Sequence, residues 1–263
     1  MQQSALPDTG AVQAEDEPVA AAENDYRMDL RNSAEITVHI NIPENVEIRS
    51  HAGSELRIES ERPPRERPEK AEGLRSLYSQ QEDNTNLGLS VIWQDNQVRI
   101  TSARRHTGEY ILHLPNRVRL VYDEVAPGYG GIVVRGHKGM MELSSTVASM
   151  ELHEVSGPVV AHSQAGNISI RFAELSDEGG TRIQVNAGDI DVSLPGETAA
   201  NWQLRSMAGD IFTDFDMDID GRADMEDGMF GALRQLDLSG QTNGGGTEIS
   251  LQTMAGNIYI RKR

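Results

Sequence analysis

The chain has 263 residues and a formal net charge of −17, with 41 acidic and 24 basic side chains and no cysteine. Because nucleic acids and anionic lipid surfaces bind basic footprints, this charge balance disfavours both as partners. The lack of cysteine excludes disulfides, thiolate catalysis and cysteine-based zinc sites. No apolar run approaches the roughly 18 residues of a membrane-spanning helix, so no membrane span is predicted.

Residues 1–33 are predicted to form a disordered acidic tail. The first 25 positions contain six acids and no Lys or Arg, and they show no apolar periodicity. The chain opens at Met1 without the basic start and apolar segment of a secretion signal. It is therefore either cytoplasmic or an exported chain whose signal peptide was removed. The polar terminus starting at Gln2 favours the second alternative, so an extracytoplasmic location is expected, periplasmic or at the cell surface.

Alternating apolar residues predict β-strands from residue 34 onward. The proline-rich segment 62–68 cannot join a central sheet, because proline has no N–H to donate, and it is expected to be an exposed loop. A short helical turn is expected around residues 71–77. The apolar positions before the loop are Ile36, Val38, Ile40, Ile42, Val46, Ile48, Leu56 and Ile58.

A second set of strands is predicted after this loop. Apolar residues alternate over residues 87–93, residues 94–96 read as a turn, and residues 98–100 provide the return strand of a hairpin. Strands at residues 110–114 and 118–122 follow. A helical apolar period persists nowhere for three turns, so the chain is predicted to be all-β.

A nine-residue repeat occupies the middle of the chain. Each unit has a small residue followed two and four positions later by apolar residues, which would point into the interior while the residue between them points out. Glycine reaches positive φ without a Cβ clash, so it is expected to turn the chain at each unit. A neighbouring Asn or Asp is expected to bond its own backbone. The small residues are Gly130, Gly139, Ala148, Gly157 and Gly166.

The repeat returns with longer connections as four copies of Ala-Gly-Asn/Asp-Ile. They begin at Ala165, Ala187, Ala208 and Ala255. Two architectures suit such units: a β-solenoid with parallel stacking and an antiparallel meander. Repetition in the same sense favours the solenoid. The charged terminus 261–263 is then expected to protect the end of the stack from edge-to-edge pairing.

These segments resemble the bacterial putative-adhesin family, whose members carry a β-strand-repeat domain of unknown function. The resemblance covers residues 34–263 and rests on the Ala-Gly-Asn/Asp-Ile units together with residues 83–89, 110–115 and 243–262. It implies an exported surface or periplasmic protein and offers no catalytic residues. The expected fold is a β-solenoid or β-helix-like stack of short strands with Gly turns, preceded by N-terminal β-hairpins and the disordered tail.

One motif is a candidate calcium loop. Asp216, Asp218 and Asp220, followed by Gly221, resemble the start of an EF-hand loop. The twelfth position would be Asp227 instead of the usual Glu, and no flanking helices are predicted. The alternative is a strand with a solvated acidic face, continuing the strand at Ile211 through residues 214–216. This alternative is favoured, and no metal site is predicted.

Two histidines are a second candidate metal site. His153 and His162 each lie four residues before a repeat glycine, so they could stack as a ladder or lie on opposite faces. Arg135 and Ser144 occupy the same slot in other units, which indicates a position that is simply polar.

The expected function is that of an exported, non-catalytic structural or binding protein, a putative adhesin presenting an extended β-repeat surface to a protein or glycan. Motifs of hydrolases, phosphate loops, zincins and dinucleotide enzymes are missing from the sequence, so no catalytic residue or cofactor is predicted. One alternative is a carbohydrate-active β-helix enzyme, in which Asp189, Asp191 and Asp210 would converge in a groove. The other is an envelope-stress accessory protein acting through another protein.

Overall fold

The computed structural model describes residues 25–30, 35–61, 69–71, 74, 81–104, 108–124, 130–220 and 236–263. It confirms an all-β fold, and the described part also contains a short 3-10 turn at Glu69–Ala71. The strands are β1 (Asp25–Asp29), β2 (Thr37–Asn41), β3 (Asn45–His51), β4 (Glu55–Ser60), β5 (Leu89–Gln94), β6 (Gln97–Ser102), β7 (Glu109–Pro115), β8 (Arg119–Asp123), β9 (Ile132–Arg135), β10 (Met141–Ser145), β11 (Met150–Val155), β12 (Val159–Ala165), β13 (Ile168–Phe172), β14 (Thr181–Ala187), β15 (Ile190–Leu194), β16 (Ala200–Ala208), β17 (Ile211–Thr213), β18 (Asp218–Asp220), β19 (Leu236–Thr242), β20 (Thr247–Ala255) and β21 (Ile258–Lys262).

The strands form two sheets, and from β7 to β18 the chain alternates between them. The ten-stranded sheet has the order β1-β4-β7-β3-β9-β11-β13-β15-β21-β17. The eleven-stranded sheet has the order β18-β19-β16-β20-β14-β12-β10-β8-β2-β6-β5. Each coil therefore contributes one strand to each sheet. No helix in the described part of the chain is long and apolar enough to cross a membrane.

One coil corresponds to two nine-residue units. Ile132 on β9 pairs in parallel with Met150 on β11, which is 18 positions later. Met141 on β10 pairs in the same way with Val159 on β12. Successive units thus lie on opposite sheets, and alternate units stack in parallel. The solenoid prediction is confirmed, and the antiparallel meander is wrong for this block.

The apolar pairs of the repeat form the core between the two sheets. Ile132, Val134 and their equivalents in later coils are almost completely buried. The residues between them, such as Glu142 and Ser169, face solvent on the outer surfaces, as predicted. Burial of each large aliphatic side chain contributes about 1.5–3 kcal/mol, so the repeated pairs are the main stabilising element of the stack.

The repeat glycines are required because stacked corners approach closely. A Cβ on Gly157 would overlap the backbone carbonyl of Gly139, and one on Gly166 would lie 2.6 Å from the carbonyl oxygen of Ala148. The expectation of positive φ is wrong for the glycines of the nine-residue block, whose φ angles are not positive. It holds for the later corners, where Gly188 has a φ of 146°.

The first and last coils are inserted into the stack. Strands β2 and β3 lie between the coil β6–β7 and the coil β8–β9. Strands β20 and β21 lie between the coil β14–β15 and the coil β16–β17. The prediction that the terminus 261–263 protects the end of the stack is therefore wrong, because β21 is paired on both sides. The coils β14–β15, β16–β17 and β20–β21 all carry the Ala-Gly-Asn/Asp-Ile corner, so local sequence did not distinguish an inner from an outer position at this end of the stack.

Antiparallel strands complete both ends of the stack. At one end β5 pairs with β6, while β4 pairs with β7 and then with β1. The β5–β6 hairpin was predicted, and its turn residues Asp95 and Asn96 have φ angles of 49° and 60°, as a type I′ turn requires. At the other end β19 pairs with β16 and then with β18.

Two expectations about the N-terminal region need correction. Strand β1 lies within the predicted tail 1–33, because Tyr26 and Met28 alternate with polar residues and pack against the core. Strands β2 and β3 belong to the parallel stack and do not form hairpins ahead of it. Residues 1–24, the proline-rich segment 62–68 and most of the expected turn at 71–77 lie outside the described residues.

Candidate functional site

Two parallel rows of side chains run across the outer face of the ten-stranded sheet. They arise because alternate residues of each strand point outward and the parallel register repeats the same position in successive coils. The acidic row consists of Asp25, Glu59, Ile111, Glu47, Val133, Glu151, Ser169, Asp191, Tyr259 and Phe212. The basic row consists of Arg27, Arg57, His113, Arg49, Arg135, His153, Arg171, Ser193 and Arg261.

Ion pairs connect the two rows. Nη2 of Arg49 lies 2.7 Å from Oε2 of Glu47, and Nε of Arg135 lies 2.8 Å from Oε1 of the same carboxylate. The hydrogen bond from Arg49 holds the pKa of Glu47 below its ordinary value, and the bond from Arg135 adds to this effect against the cost of burial. A hydrogen bond from Arg27 likewise lowers the pKa of Asp25. Such exposed pairs each contribute about 0–1 kcal/mol, so they orient side chains more than they stabilise the fold.

The acidic row fixes how several guanidinium groups are oriented. Arg135 and Arg261 both donate through Nε, to Glu47 and Asp191 respectively. Their side chains remain 52% and 54% exposed. About half of each arginine side chain is therefore accessible to solvent. Arg171 is also exposed, and the outward residues beside it, Ser169 and Ser193, are uncharged.

An aromatic pair lies at the end of the acidic row. The rings of Phe212 and Tyr259 stack with centroids 5.4 Å apart and an interplanar angle of 12°. The guanidinium carbon of Arg261 lies 5.3 Å from the centroid of the Tyr259 ring. Phe212 is 49% exposed although it is a large apolar residue. The outer face thus combines carboxylates, guanidinium groups and an accessible aromatic ring.

A ladder of Asn and Asp side chains holds one corner of the stack. The backbone N–H of Asp189 donates to Oδ1 of Asn167 (2.9 Å), that of Asn257 donates to Oδ1 of Asp189 (2.7 Å), and that of Asp210 donates to Oδ1 of Asn257 (2.9 Å). The expectation that these side chains bond their own backbone is wrong, because each binds the neighbouring coil. The Ala-Gly-Asn/Asp-Ile motif is therefore a coil-to-coil connector.

The three carboxylates proposed for an enzymatic groove have other partners or separate positions. Asp189 belongs to the corner ladder, and Asp191 pairs with Arg261 at 3.1 Å. Asp210 lies two coils from Asp189, with the coil of Asn257 between them. Within the described residues, no group of three or more His, Asp or Glu side chains is placed to hold a metal ion.

The calcium motif begins as a strand where the structure describes it. Asp218–Asp220 forms β18, which pairs antiparallel with β19, while residues 221–227 lie outside the described part. The predicted continuation of the Ile211 strand through residue 216 is wrong. Strand β17 ends at Thr213, and Phe215 turns inward to a centroid distance of 6.4 Å from Trp202.

The two candidate histidines are not brought together. His153 lies on β11 in the ten-stranded sheet, and His162 lies on β12 in the eleven-stranded sheet. The alternative of opposite faces is therefore correct. Nε2 of His153 lies 3.4 Å from the carboxylate of Glu151, so this histidine belongs to the basic row.

A third histidine, which the sequence did not single out, is buried at a corner. Nε2 of His137 lies 2.9 Å from the carbonyl oxygen of Val118, and Nδ1 lies 2.8 Å from the hydroxyl of Ser50. Because a carbonyl only accepts, Nε2 carries the proton and Nδ1 accepts from Ser50. Burial lowers the pKa of His137 to about 4, although the bond to Val118 opposes this effect. The neutral imidazole thus joins three neighbouring coils.

A buried carboxylate caps another corner. Glu124 accepts hydrogen bonds from the hydroxyl of Ser145 (2.6 Å) and from the backbone N–H groups of Thr146, Val147 and Ala148. Burial opposes its ionisation, but these donors outweigh that effect and hold the pKa of Glu124 below its ordinary value. This carboxylate therefore serves the fold of the corner.

The alternation of two parallel sheets, the stacked corners and the repeated outward rows define a β-solenoid repeat scaffold. Residues 134–261 match the Toastrack DUF4097 family, a domain of unknown function. This match confirms the predicted resemblance to a family of β-strand-repeat domains.

No curated protein matches the chain. Among solved structures, the chain is similar to the crystal structure of a "putative cell adhesion protein" from Clostridium sporogenes ATCC 15579. The two share 9% identity with a TM-score of 0.46, and the alignment covers 91% of this chain and 99% of that chain. This distant likeness transfers no function.

Proposed function

We propose that this chain is an exported, non-catalytic structural or binding protein that presents the outer face of its ten-stranded sheet to a partner in the periplasm or at the cell surface. The observation that carries the proposal is the pair of outward rows, which repeat charged side chains over nine adjacent strands. A row of this length suits an extended contact better than a small-molecule pocket.

The bonding of the conspicuous carboxylates supports a role without catalysis. Glu124 and Asp189 accept hydrogen bonds that hold corners, and Glu47 orients two arginines of the basic row. General acid–base chemistry would need carboxylates converging on a shared reacting group. These groups instead serve the scaffold and its outer face, in keeping with an adhesin-like function.

Two measurements test this proposal separately. The full native gene is expressed in its own host, and intact and lysed cells are treated with an external protease. Digestion in intact or osmotically opened cells supports export, whereas protection until the inner membrane is lysed refutes it. Purified chain is then applied to a glycan array and to immobilised envelope protein from the same host. Binding to neither material would refute the binding function, and turnover of an arrayed glycan would refute the non-catalytic assignment.

A further inference from the structure

The basic row is unusual for a chain of this charge. Eight of its nine successive positions are Arg or His, whereas the whole chain has a formal net charge of −17. With adjacent strands about 4.8 Å apart, the row extends over roughly 38 Å. Like charges directly opposite each other on neighbouring strands are unfavourable, so alternating signs would stabilise the sheet better. Pairing between directly opposite residues therefore does not explain why the charges are segregated into rows.

The carboxylates of the acidic row orient guanidinium groups of the basic row so that these can bind anions. The carboxylates of Glu47 and Asp191 accept from Nε of Arg135 and Arg261, and both arginine side chains stay about half exposed. A guanidinium fork matches the two oxygens of a carboxylate or sulfate group. Arg171 lies between these two arginines along the row, next to uncharged serines. The segment from Arg135 to Arg261 thus offers three exposed guanidinium groups in line.

The surroundings of the basic row favour an acidic polysaccharide over other polyanions. Carboxylates of the acidic row accept hydrogen bonds, which sugar hydroxyls donate and a bare phosphate polymer does not. The exposed ring of Phe212 at the end of the acidic row offers an apolar surface to a sugar ring. A nucleic acid duplex needs a broad basic footprint, whereas this face pairs one basic row with an acidic one.

We propose that the outer face of the ten-stranded sheet binds a linear anionic glycan along the basic row. The arginines contact its carboxylate or sulfate groups, the acidic row contacts its hydroxyls, and Phe212 contacts a sugar ring. This inference rests on the proposed function, because it names the chemical class of partner for the same face.

The test compares two triple variants of the full chain. Arg135, Arg171 and Arg261 are changed to Gln in the row variant. Arg119, Arg182 and Arg205, exposed on the outer face of the eleven-stranded sheet, are changed to Gln in the control variant. Polygalacturonate and dextran sulfate are the probes, unsulfated dextran is the neutral control, and affinity is measured by calorimetry at 50 and 200 mM NaCl. Circular dichroism verifies that each variant is folded.

We expect the wild type to bind at least one charged probe at 50 mM NaCl, and more weakly at 200 mM because the contacts are ionic. The row variant should lose about tenfold or more in affinity, while the control variant stays within about twofold. Equal losses in both variants, unchanged binding by the row variant, or no binding of either charged probe would overturn the proposal. Binding to polygalacturonate identifies uronate carboxylates as the anion, and binding to dextran sulfate identifies sulfate.

Three single variants keep the test decisive if the row variant is unstable. Arg171→Gln alone should weaken binding, and Arg171→Lys should weaken it less, because Lys keeps the charge but loses the fork that meets two oxygens. Phe212→Ala should weaken binding to the polysaccharides but leave binding to inorganic polyphosphate unchanged. If the wild type binds polyphosphate as tightly as the glycans and Phe212→Ala has no effect, the glycan assignment is wrong. If the row variant still binds the immobilised envelope protein, this inference is wrong, but the proposed function stands.

Discussion

Replacement of the buried His137 by Gln should change how stability depends on pH. The folded state keeps this imidazole neutral with a pKa of about 4, against an ordinary value of 6.5. Between these values the unfolded chain binds a proton that the folded chain does not, so stability falls as the pH falls. The gap of about 2.5 pH units at 1.36 kcal/mol each corresponds to about 3 kcal/mol. The contribution is fully present above pH 6.5 and is lost on approaching pH 4.

The variant should be less stable than the wild type at neutral pH but less sensitive to acid. Gln at this position can still donate to the carbonyl of Val118, while its fit to Ser50 is poorer, so we expect a loss of about 1–2 kcal/mol at pH 7. Because the variant has no imidazole to protonate, the two curves of unfolding free energy against pH should cross at about pH 5–6.

Urea unfolding followed by the fluorescence of the buried Trp202 measures these curves at half-unit steps from pH 4.5 to 8. His162→Gln, on the outer face of the eleven-stranded sheet, controls for the exchange of a histidine elsewhere. Protonation of the carboxylates at low pH destabilises the wild type and both variants alike. This effect therefore cancels in the differences between their unfolding free energies. Parallel curves for the wild type and His137→Gln over this range would refute the assignment of His137 as a neutral, buried connector.

Three further substitutions test the corners. Gly157→Ala should lower the unfolding free energy by about 1–3 kcal/mol in urea titrations, because its Cβ meets a stacked carbonyl, whereas the control Gly196→Ala has room and should change little. Asp189→Ala should lower the unfolding free energy, measured by thermal unfolding, by about 1 kcal/mol, because the N–H of Asn257 loses its acceptor. Asp189→Asn keeps an acceptor oxygen and should be about as stable as the wild type. Glu124→Gln should lower the unfolding free energy at pH 7, and its difference from the wild type should become smaller as the pH falls below 4.5. The pKa of Glu124 is lowered in the folded state, so the stability that this carboxylate contributes is lost when acid protonates it. A difference in unfolding free energy that stays constant with pH would contradict this.

Much of the fold follows directly from local sequence. Alternation of apolar residues predicted most strands, and the outward positions of Glu142 and Ser169 followed from the period of two. The order of the C-terminal strands did not follow, because the inner coil β20–β21 and the outer coil β16–β17 carry the same Ala-Gly-Asn/Asp-Ile corner. Strand β1 was missed because Tyr26 and Met28 lie next to a long acidic segment that dominates the composition.

The outer rows could not be assembled from the nine-residue period alone. Members of one row are 18 residues apart, as Arg135, His153 and Arg171 are, since intervening units belong to the other sheet. The inserted coils then add Arg49 and Arg261 from distant parts of the chain. The available signal was the pattern apolar–x–apolar–Arg/His in every second unit. The repeated aromatic after the corner isoleucine, at Phe212 and Tyr259, was a further signal.

The inserted terminal coils govern the order in which the protein can fold. In a simple solenoid each coil docks on the one before it, so folding can proceed along the chain as it is synthesised. Here β16 and β17 find their final neighbours only after β20 and β21 have been made. These pairings are distant in sequence, which slows folding. The last 17 residues therefore complete a cooperative unit, and a chain that ends before Thr247 lacks the surface on which β16 and β17 dock.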